Sequence, residues 1–246
     1  MRRLILSDIH SNLEALETVL RHAEGGYDQV VCCGDVAGYN ASPVEVAAWA
    51  REHAGVIVRG NHDRACGGIE DLEWFNPAAR IAAIWSMNEL GEDAQEWLRA
   101  LPAGPLSFDT FQLCHGSPGG EDDYLADGHD VEPLKDLLTR RICFAGHTHI
   151  QTGWSWQRGG LQRLPRPAPS QEERVIDLDP DYLYLVNPGS VGQPRDGDPR
   201  AAYAIWDDAG HLLYFRRARY NVRAAQMRIM DAGLPPSLAD RLALGR

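Results

Sequence analysis

Lysine is nearly missing from this chain: Lys135 is the only one among 24 basic side chains, set against 35 carboxylates and a formal charge of −11. The near-exclusive use of arginine reads as compositional bias. Nonspecific nucleic-acid binding draws on clustered Lys and Arg, so the charge argues against nucleic acid as a partner. Divalent cations held by the chain would weaken that argument locally. Long apolar runs are missing too. The first, Leu4-Ile5-Leu6, is too short for a signal peptide or a membrane span, and a cytoplasmic protein with no membrane partner is the expectation. Cysteine is sparse, and Cys32, Cys33, Cys66, Cys114 and Cys143 follow no zinc-finger or disulfide-framework spacing. Cys33, Cys114 and Cys143 end or sit within apolar runs and read as small buried hydrophobes at strand ends.

What remains is ample for folding. At 246 residues and 44% hydrophobic, the chain can bury a large core as one domain or at most two. Through residue 150, strand and helix patterns alternate, as an α/β fold requires. Strands are predicted at residues 3–6, at "QVVCC", "VIVR" and "TFQLC", and at "ICFA". Helices are predicted from Leu13 to Ala23, from Pro43 to about Glu52, from Pro77 to about Leu90, and briefly on to Ala100. Ser42-Pro43-Val44-Glu45 has the form of an N-cap, a first-turn proline and a capping-box glutamate. After Trp154 the pattern turns to strands: "GWSW", "RVIDL", "YLYLV", "AAYAIW" and "HLLYFRRARY". The Pro-, Gly- and Arg-rich segment at 158–173 reads as a mobile hairpin or loop. From about Val222 two short helices are expected, broken at Pro235-Pro236. There is no internal repeat. The simplest organisation is one domain over 1–246 with a helical excursion at about 65–102.

Each of the first five predicted strands runs into a metal-type ligand. The motifs are "SDIHSN" with Asp8 and His10, "GDVAG" with Asp35, "GNHD" with Asn61, His62 and Asp63, "CHGSP" with His115, and "GHTH" with His147 and His149. Taken singly, each has a bland reading as a cap, a turn or a packed core histidine. Together they converge, because strand carboxyl ends form the ligand-binding edge of an open α/β sheet. In an extended backbone His147 and His149 also point to one side, with Thr148 opposite. These observations define a metal site.

The ordered set Asp-x-His, Gly-Asp, Gly-Asn-His-Asp, His and Gly-His-x-His resembles the calcineurin-like metallophosphoesterase superfamily. "DIHSNLEALETVL", "NPAAR", "LCHGSP", "LVNPGSVGQPRDG", "RYNV" and "LADRLALG" extend the likeness to a branch of small bacterial and archaeal phosphoesterases. The resemblance implies a four-layer αββα sandwich, two facing β-sheets flanked by helices. It also implies two divalent transition ions, with Asp8, His10 and His149 on one, Asn61, His115 and His147 on the other, and Asp35 bridging. A mixed carboxylate and imidazole set fits manganese, iron, zinc or nickel better than calcium. Two such ions clamp a phosphate ester and acidify a bridging water into the attacking hydroxide. His62 is then the catalytic residue near the leaving group, where a protonated imidazole donates a hydrogen bond or a proton. Asn61 and Arg195 are the expected substrate contacts, although a solvated turn arginine has the same sequence appearance. Asp63 either orients His62 or serves the turn.

One departure narrows the substrate. Protein Ser/Thr phosphatases of the superfamily carry an aspartate where this chain has Gly38. The small phosphate ester is therefore expected to be a phosphodiester, with phosphomonoesters and nucleotide pyrophosphates as alternatives. A non-catalytic metal-binding scaffold is the alternative of another class, disfavoured because His62 and all seven ligands are present. A helical HD-type phosphohydrolase is disfavoured because His62-Asp63 follows a β-like run. The excursion with Trp74, Phe75 and Trp85 is a candidate to overhang the site and stack on a base or aromatic alcohol, while Ile81, Ile84, Trp85 and Leu90, at helical spacing, read rather as core. "EDDYLADGHD" reads as a solvated acidic loop.

Overall fold

Burial along β1 (Arg2–Leu6) shows how the layers are built. Leu4 and Leu6 enter one core and Ile5 another, as a strand covered on both faces requires. A computed structural model gives the chain over residues 1–246. Its first sheet runs β3 (Ala54–Ile57), β2 (Gln29–Cys32), β1, β11 (Ala201–Asp207), β12 (Leu212–Ala218) and β9 (Glu173–Asp177). The second runs β4 (Leu106–Ser107), β5 (Phe111–Leu113), β6 (Ile142–Phe144), β10 (Leu183–Asn187), β7 (Thr152–Gln157) and β8 (Gly160–Arg163). Strands β1, β2 and β3 are mutually parallel, as are β5, β6 and β10, and the other pairings are antiparallel.

The sheets face each other across a core of Ile5, Val31, Phe111, Phe144, Val186, Trp206 and Phe215. The outer face of the first sheet, with Leu4, Leu6, Val30 and Tyr203, is covered by α1 (Leu13–Ala23), α2 (Pro43–His53) and α4 (Pro77–Ala100). Val131 of α5 (Gly128–Val131) and Leu134 of the 3-10 turn after it cover the outer face of the second, against Cys143 and Leu185. The result is the αββα sandwich that the resemblance implies. Two further helices, α6 (Val222–Asp231) and α7 (Pro236–Leu244), pack on Ala79 and Ala82 of α4 through Ile229, Leu238 and Leu242. All five cysteines are buried and free.

Several local expectations are corrected. Asn61-His62-Asp63 opens a short helix, α3 (Asn61–Cys66), because Asp63 turns back to accept the Gly60 N–H at 2.9 Å. The dipeptide His62-Asp63 is thus helical after all, and it is the two-sheet fold that sets this chain apart from an all-helical phosphohydrolase. Ser42 makes no side-chain cap, although Pro43 does occupy the first turn. The two helices expected over 77–100 run on as one element, kinked at Gly91, whose φ is 69°. Its buried face is made of small residues, Ala79, Ala82, Ala83 and Ser86, with Leu90, so Ile81 and Ile84 are left exposed and Trp85 half-buried. Within the 158–173 segment, β8 pairs with β7 as a hairpin.

Candidate metal centre

The ends of β1, β2 and β3 in one sheet and of β5 and β6 in the other open toward the same edge, and the five motifs meet there. Their backbone is unusual. Asp8, His10, Asp35, His147 and His149 all have positive φ, between 47° and 68°. Such conformations are costly for residues with a Cβ and persist only where surrounding structure over-determines them. Here the loops strap one another. Asp8, His10 and Ser11 donate backbone N–H groups to the carbonyls of Gly34, Asp35 and Val36 at 2.9–3.0 Å. The expectation that His147 and His149 share a side as an extended strand is therefore corrected: they reach the site from left-handed turns, and through different ring nitrogens.

Two clusters result. Asp8, His10, Asp35 and His149 form one, and Asp35, His115 and His147 form the other. The Nε2 atoms of His10 and His149 face each other at 3.0 Å. His115 Nε2 lies 3.1 Å from His147 Nδ1 and 3.3 Å from Asn61 Oδ1. The opposite nitrogens settle the tautomers. His10 Nδ1 meets the Ala37 carbonyl at 3.0 Å, His115 Nδ1 that of Cys33 at 2.8 Å, and His149 Nδ1 that of Gln193 at 2.6 Å. A carbonyl only accepts, so each Nδ1 carries the proton and, in the neutral ring, each Nε2 is left to present its lone pair inward. Burial holds His10 and His149 well below the usual histidine range, which keeps those lone pairs free. Buried lone pairs aimed at one another beside carboxylates are a fit for divalent cations.

Asp35 stands between the clusters. Its Oδ2 lies 3.5 Å from His10 Nε2 and 3.4 Å from His115 Nε2, while Oδ1 accepts the His62 N–H at 2.9 Å. Burial alone would lower His115, but the charge and hydrogen bond of Asp35 outweigh it and lift the imidazole to about 10. Asp35 itself is held well below the carboxylate range: burial opposes its ionisation, and His115, His62 and His10 overcome it. Asp8 is pushed up to about 7 by burial and, after the opposing pull of His115, by Asp35. Without metal the His115 imidazolium alone offsets the two buried carboxylates, and divalent cations would take over that role as they displace its proton.

Of the two roles offered for Asp63 the structure shows the one in the turn, while Ser7, Ser190 and Asn187 escaped the sequence reading. Asp63 accepts the N–H groups of Asp35 and Val36 at 2.8 Å each, so its place is in the loop holding Asp35 rather than against His62. The Ser7 hydroxyl donates to Asp8 Oδ2 at 2.6 Å, and Ser190 Oγ donates to the Asp8 carbonyl at 2.8 Å. Asn187 Nδ2 binds the Gly146 carbonyl at 2.7 Å and Thr148 Oγ1 at 3.0 Å. For Asn187 and Ser190 the available signal was the segment "NPGSVGQ", in which they follow a buried strand.

His62 joins neither ligand cluster. It is buried between Tyr39, 4.3 Å away ring to ring, and Phe75, at 4.9 Å, and its Nδ1 has no hydrogen-bond partner. A cavity of about 340 Å³ opens beside it, with Asn61, His147, Trp74 and Asp122 in its wall. Burial lowers the His62 imidazole to about 4, with Asp35 opposing and Arg195 reinforcing the shift. The ring is therefore neutral near pH 7 in the free protein and offers one N–H, where the sequence had predicted an imidazolium. Arg195 does not line this cavity. Its Nη2 donates to the Tyr39 hydroxyl at 3.1 Å.

The acidic segment at 121–130 is not simply a solvated loop. Arg59 and Arg64 bind Glu121, Arg64 also binds Asp122 and Glu70, and Tyr124 packs edge-on to His147 at 5.6 Å. Gly38 has a geometric reason. A Cβ there would lie 2.6 Å from His62 Nδ1, and its φ is +91°. Gly38→Ala is expected to destabilise the protein by about 1–2 kcal/mol from the left-handed backbone alone. By displacing His62 it should lower kcat about tenfold or more while the metal content holds. A thermal melt, elemental analysis and turnover on one diester check this. An alanine variant with unchanged turnover would show that His62 tolerates the shift.

A metal-binding edge on a two-sheet sandwich defines a class, and the chain belongs to it: the model of the calcineurin-like phosphoesterase superfamily domain matches residues 1–209. An uncharacterized protein of Methanocaldococcus jannaschii is 35% identical over 98% of this chain and 97% of its own length. The crystal structure of a metallophosphoesterase from Sphaerobacter thermophilus is similar at 36% identity and a TM-score of 0.87, covering 100% of this chain and 99% of that one. A hypothetical protein from Pyrococcus horikoshii shares the fold at 19% identity and a TM-score of 0.76, over 100% and 98% of the two chains. The family and the ligand clusters together indicate a metal-dependent phosphoesterase. No helix is long and apolar enough to cross a membrane.

Proposed function

We propose that the protein hydrolyses phosphodiesters at a centre of two divalent transition ions. The observation that carries this reading is the position of His62: it shares the cavity wall with Asn61 and His147 yet belongs to neither ligand cluster. A scaffold that only binds metal has no use for such a residue. Asp8, His10 and His149 would hold one ion and Asn61, His115 and His147 the other, with Asp35 between. Ions held by these residues would supply Lewis-acid chemistry, polarising a phosphate ester and acidifying water. His62 would direct an N–H to the leaving oxygen; a phosphate anion alongside raises the basicity of the ring, so that it can take a proton from solvent and give it to the leaving alcohol as the P–O bond breaks, while the attacking water's proton passes to solvent. Trp74, 88% exposed at the mouth, offers a stacking face for an aromatic or base-bearing leaving group.

The diester preference rests on the cavity wall. Its one guanidinium, Arg64, is tied to Glu70, Glu121 and Asp122, and Glu70 and Asp122 line the same wall. A monoester dianion gains most from free cations around its transferring oxygens, and this wall supplies none. Bis(4-nitrophenyl) phosphate should therefore be hydrolysed with higher kcat/KM than 4-nitrophenyl phosphate by the manganese-loaded protein, and neither after chelation. A marked monoester preference would make the protein a phosphatase. Activity that survives chelation would remove the metal ions from the mechanism.

A further inference from the structure

A histidine that handles a proton in a transition state is ordinarily aimed by a hydrogen bond from its second nitrogen to a third group. His62 has no such bond. Its Nδ1 is buried without a partner, and Nε2 makes no hydrogen bond either. Gly38 stands behind Nδ1, where even a Cβ would come within 2.6 Å. The neighbouring acid, Asp63, is spent on the N–H groups of Gly60, Asp35 and Val36.

What touches the ring is aromatic. Tyr39 lies against it at 4.3 Å between centroids, tilted by 42°, and Phe75 meets it nearly edge-on at 4.9 Å and 73°. The two rings are themselves fixed. Arg195 Nη2 donates to the Tyr39 hydroxyl at 3.1 Å, and the Arg195 backbone N–H is held by the His149 carbonyl at 3.1 Å. Tyr39 packs with Ala79, Leu238 and Leu242, so that α4 and the C-terminal helix α7 back its ring. Phe75 packs on the same cluster and precedes Asn76, the N-cap of α4. A proton on Nδ1 would be a buried donor with no acceptor, so the neutral ring carries its proton on Nε2, the nitrogen that is not sealed off. Ring packing then decides where that N–H points, and aromatic contacts of this geometry are directional.

We infer that Tyr39 and Phe75 are positioning residues, two aromatic rings that clamp His62 and aim its Nε2–H at the leaving oxygen in place of a hydrogen-bonded partner. Arg195 acts through Tyr39. This rests on the reading of His62 as the leaving-group donor.

Phe75 is the cleaner ring to remove, since it lies against His62 and stacks on no ligand histidine. In the manganese-loaded protein Phe75→Ala should keep the metal content and lower kcat about tenfold on methyl phenyl phosphate. The loss should be smaller on methyl 4-nitrophenyl phosphate, whose leaving group needs less help. Phe75→Tyr, which keeps the ring, should recover most of it. Tyr39→Phe, which gives up only the Arg195 bond, should lose about threefold on the phenyl ester. On a His62→Ala background none of these changes should cost anything further, because residues acting through one group are not additive. A substrate contact or a folding defect would instead lower both esters alike and persist without His62. Where a melt shows that the alanine variant does not fold, Phe75→Leu fills the space without a ring and carries the same expectation.

Nitrogen NMR of zinc-loaded protein labelled in its histidines reads the clamp apart from turnover, with the His62 signals identified by their absence from His62→Ala. The parent should show one form, protonated on Nε2, and Phe75→Ala a mixture of ring forms. Parent-like His62 signals in Phe75→Ala, or equal losses on the two esters, would overturn the clamp. A single Nε2–H form that is lost in Phe75→Ala, in a protein where His62→Ala costs no turnover, would uphold the clamp and remove the leaving-group reading instead.

Discussion

Asp35→Asn should release both ions at once. One oxygen of Asp35 faces His10 in the first cluster and His115 in the second, at 3.5 and 3.4 Å. An amide of the same size keeps the shape but removes the charge that offsets two cations, and its NH2 group can present a donor where a lone pair is needed. Loss of a supporting partner outside the ligand set commonly weakens metal binding 10–100-fold, so a shared ligand should cost about 10²-fold or more for each ion. Turnover should fall in step with occupancy. Elemental analysis after dialysis against a defined free-metal level, with a melt to show that the variant folds, provides the test. A variant that keeps one ion at full occupancy would place Asp35 on a single metal and refute the bridge.

His62→Ala should do the opposite, keeping the ions and losing the chemistry. No ligand atom is removed, because His62 stands outside both clusters. Its N–H to Asp35 Oδ1 is a backbone group and survives the substitution. What disappears is the imidazole on the cavity wall, and general acid–base assistance is worth about 10²–10⁴-fold. The loss should be largest for diesters with poor leaving groups and should shrink as the leaving alcohol becomes more acidic, since a good leaving group needs no proton. Parent-like turnover on an alkyl aryl diester, with metals intact, would show that the leaving oxygen is assisted from elsewhere.

The legible part of this protein was its short apolar runs. Leu4-Ile5-Leu6 and Ile142-Cys143-Phe144 are continuous, as strands covered on both faces require, and the structure sends their successive side chains into different cores. The ligand types were legible for a related reason, because polar residues that end a buried strand have few structural excuses. The conformations of those residues were not. Nothing in "GHTH" announces that both histidines lie at positive φ, because the strain is enforced by contacts far along the chain: His149 Nδ1 on the Gln193 carbonyl, and the His147 N–H on Asp8. The same applies to Asp63, whose carboxylate is used by backbone groups 26 to 28 residues away. Packing by small residues misled the reading of α4, where alanines make the contact and Ile81 is left in solvent. The role of "EDDYLADGHD" depended on finding Arg59 and Arg64, far back along the chain, paired with its acids, which local charge density cannot reveal.

The central claim is that one edge of the sandwich holds two ions through seven side chains. It is tested most directly by growing crystals with manganese and measuring anomalous diffraction near its absorption edge. The account predicts two peaks of similar height. One lies among Asp8, His10 and His149, the other among Asn61, His115 and His147, and Asp35 lies within coordination distance of both. A single peak, or two peaks away from these side chains, would contradict it.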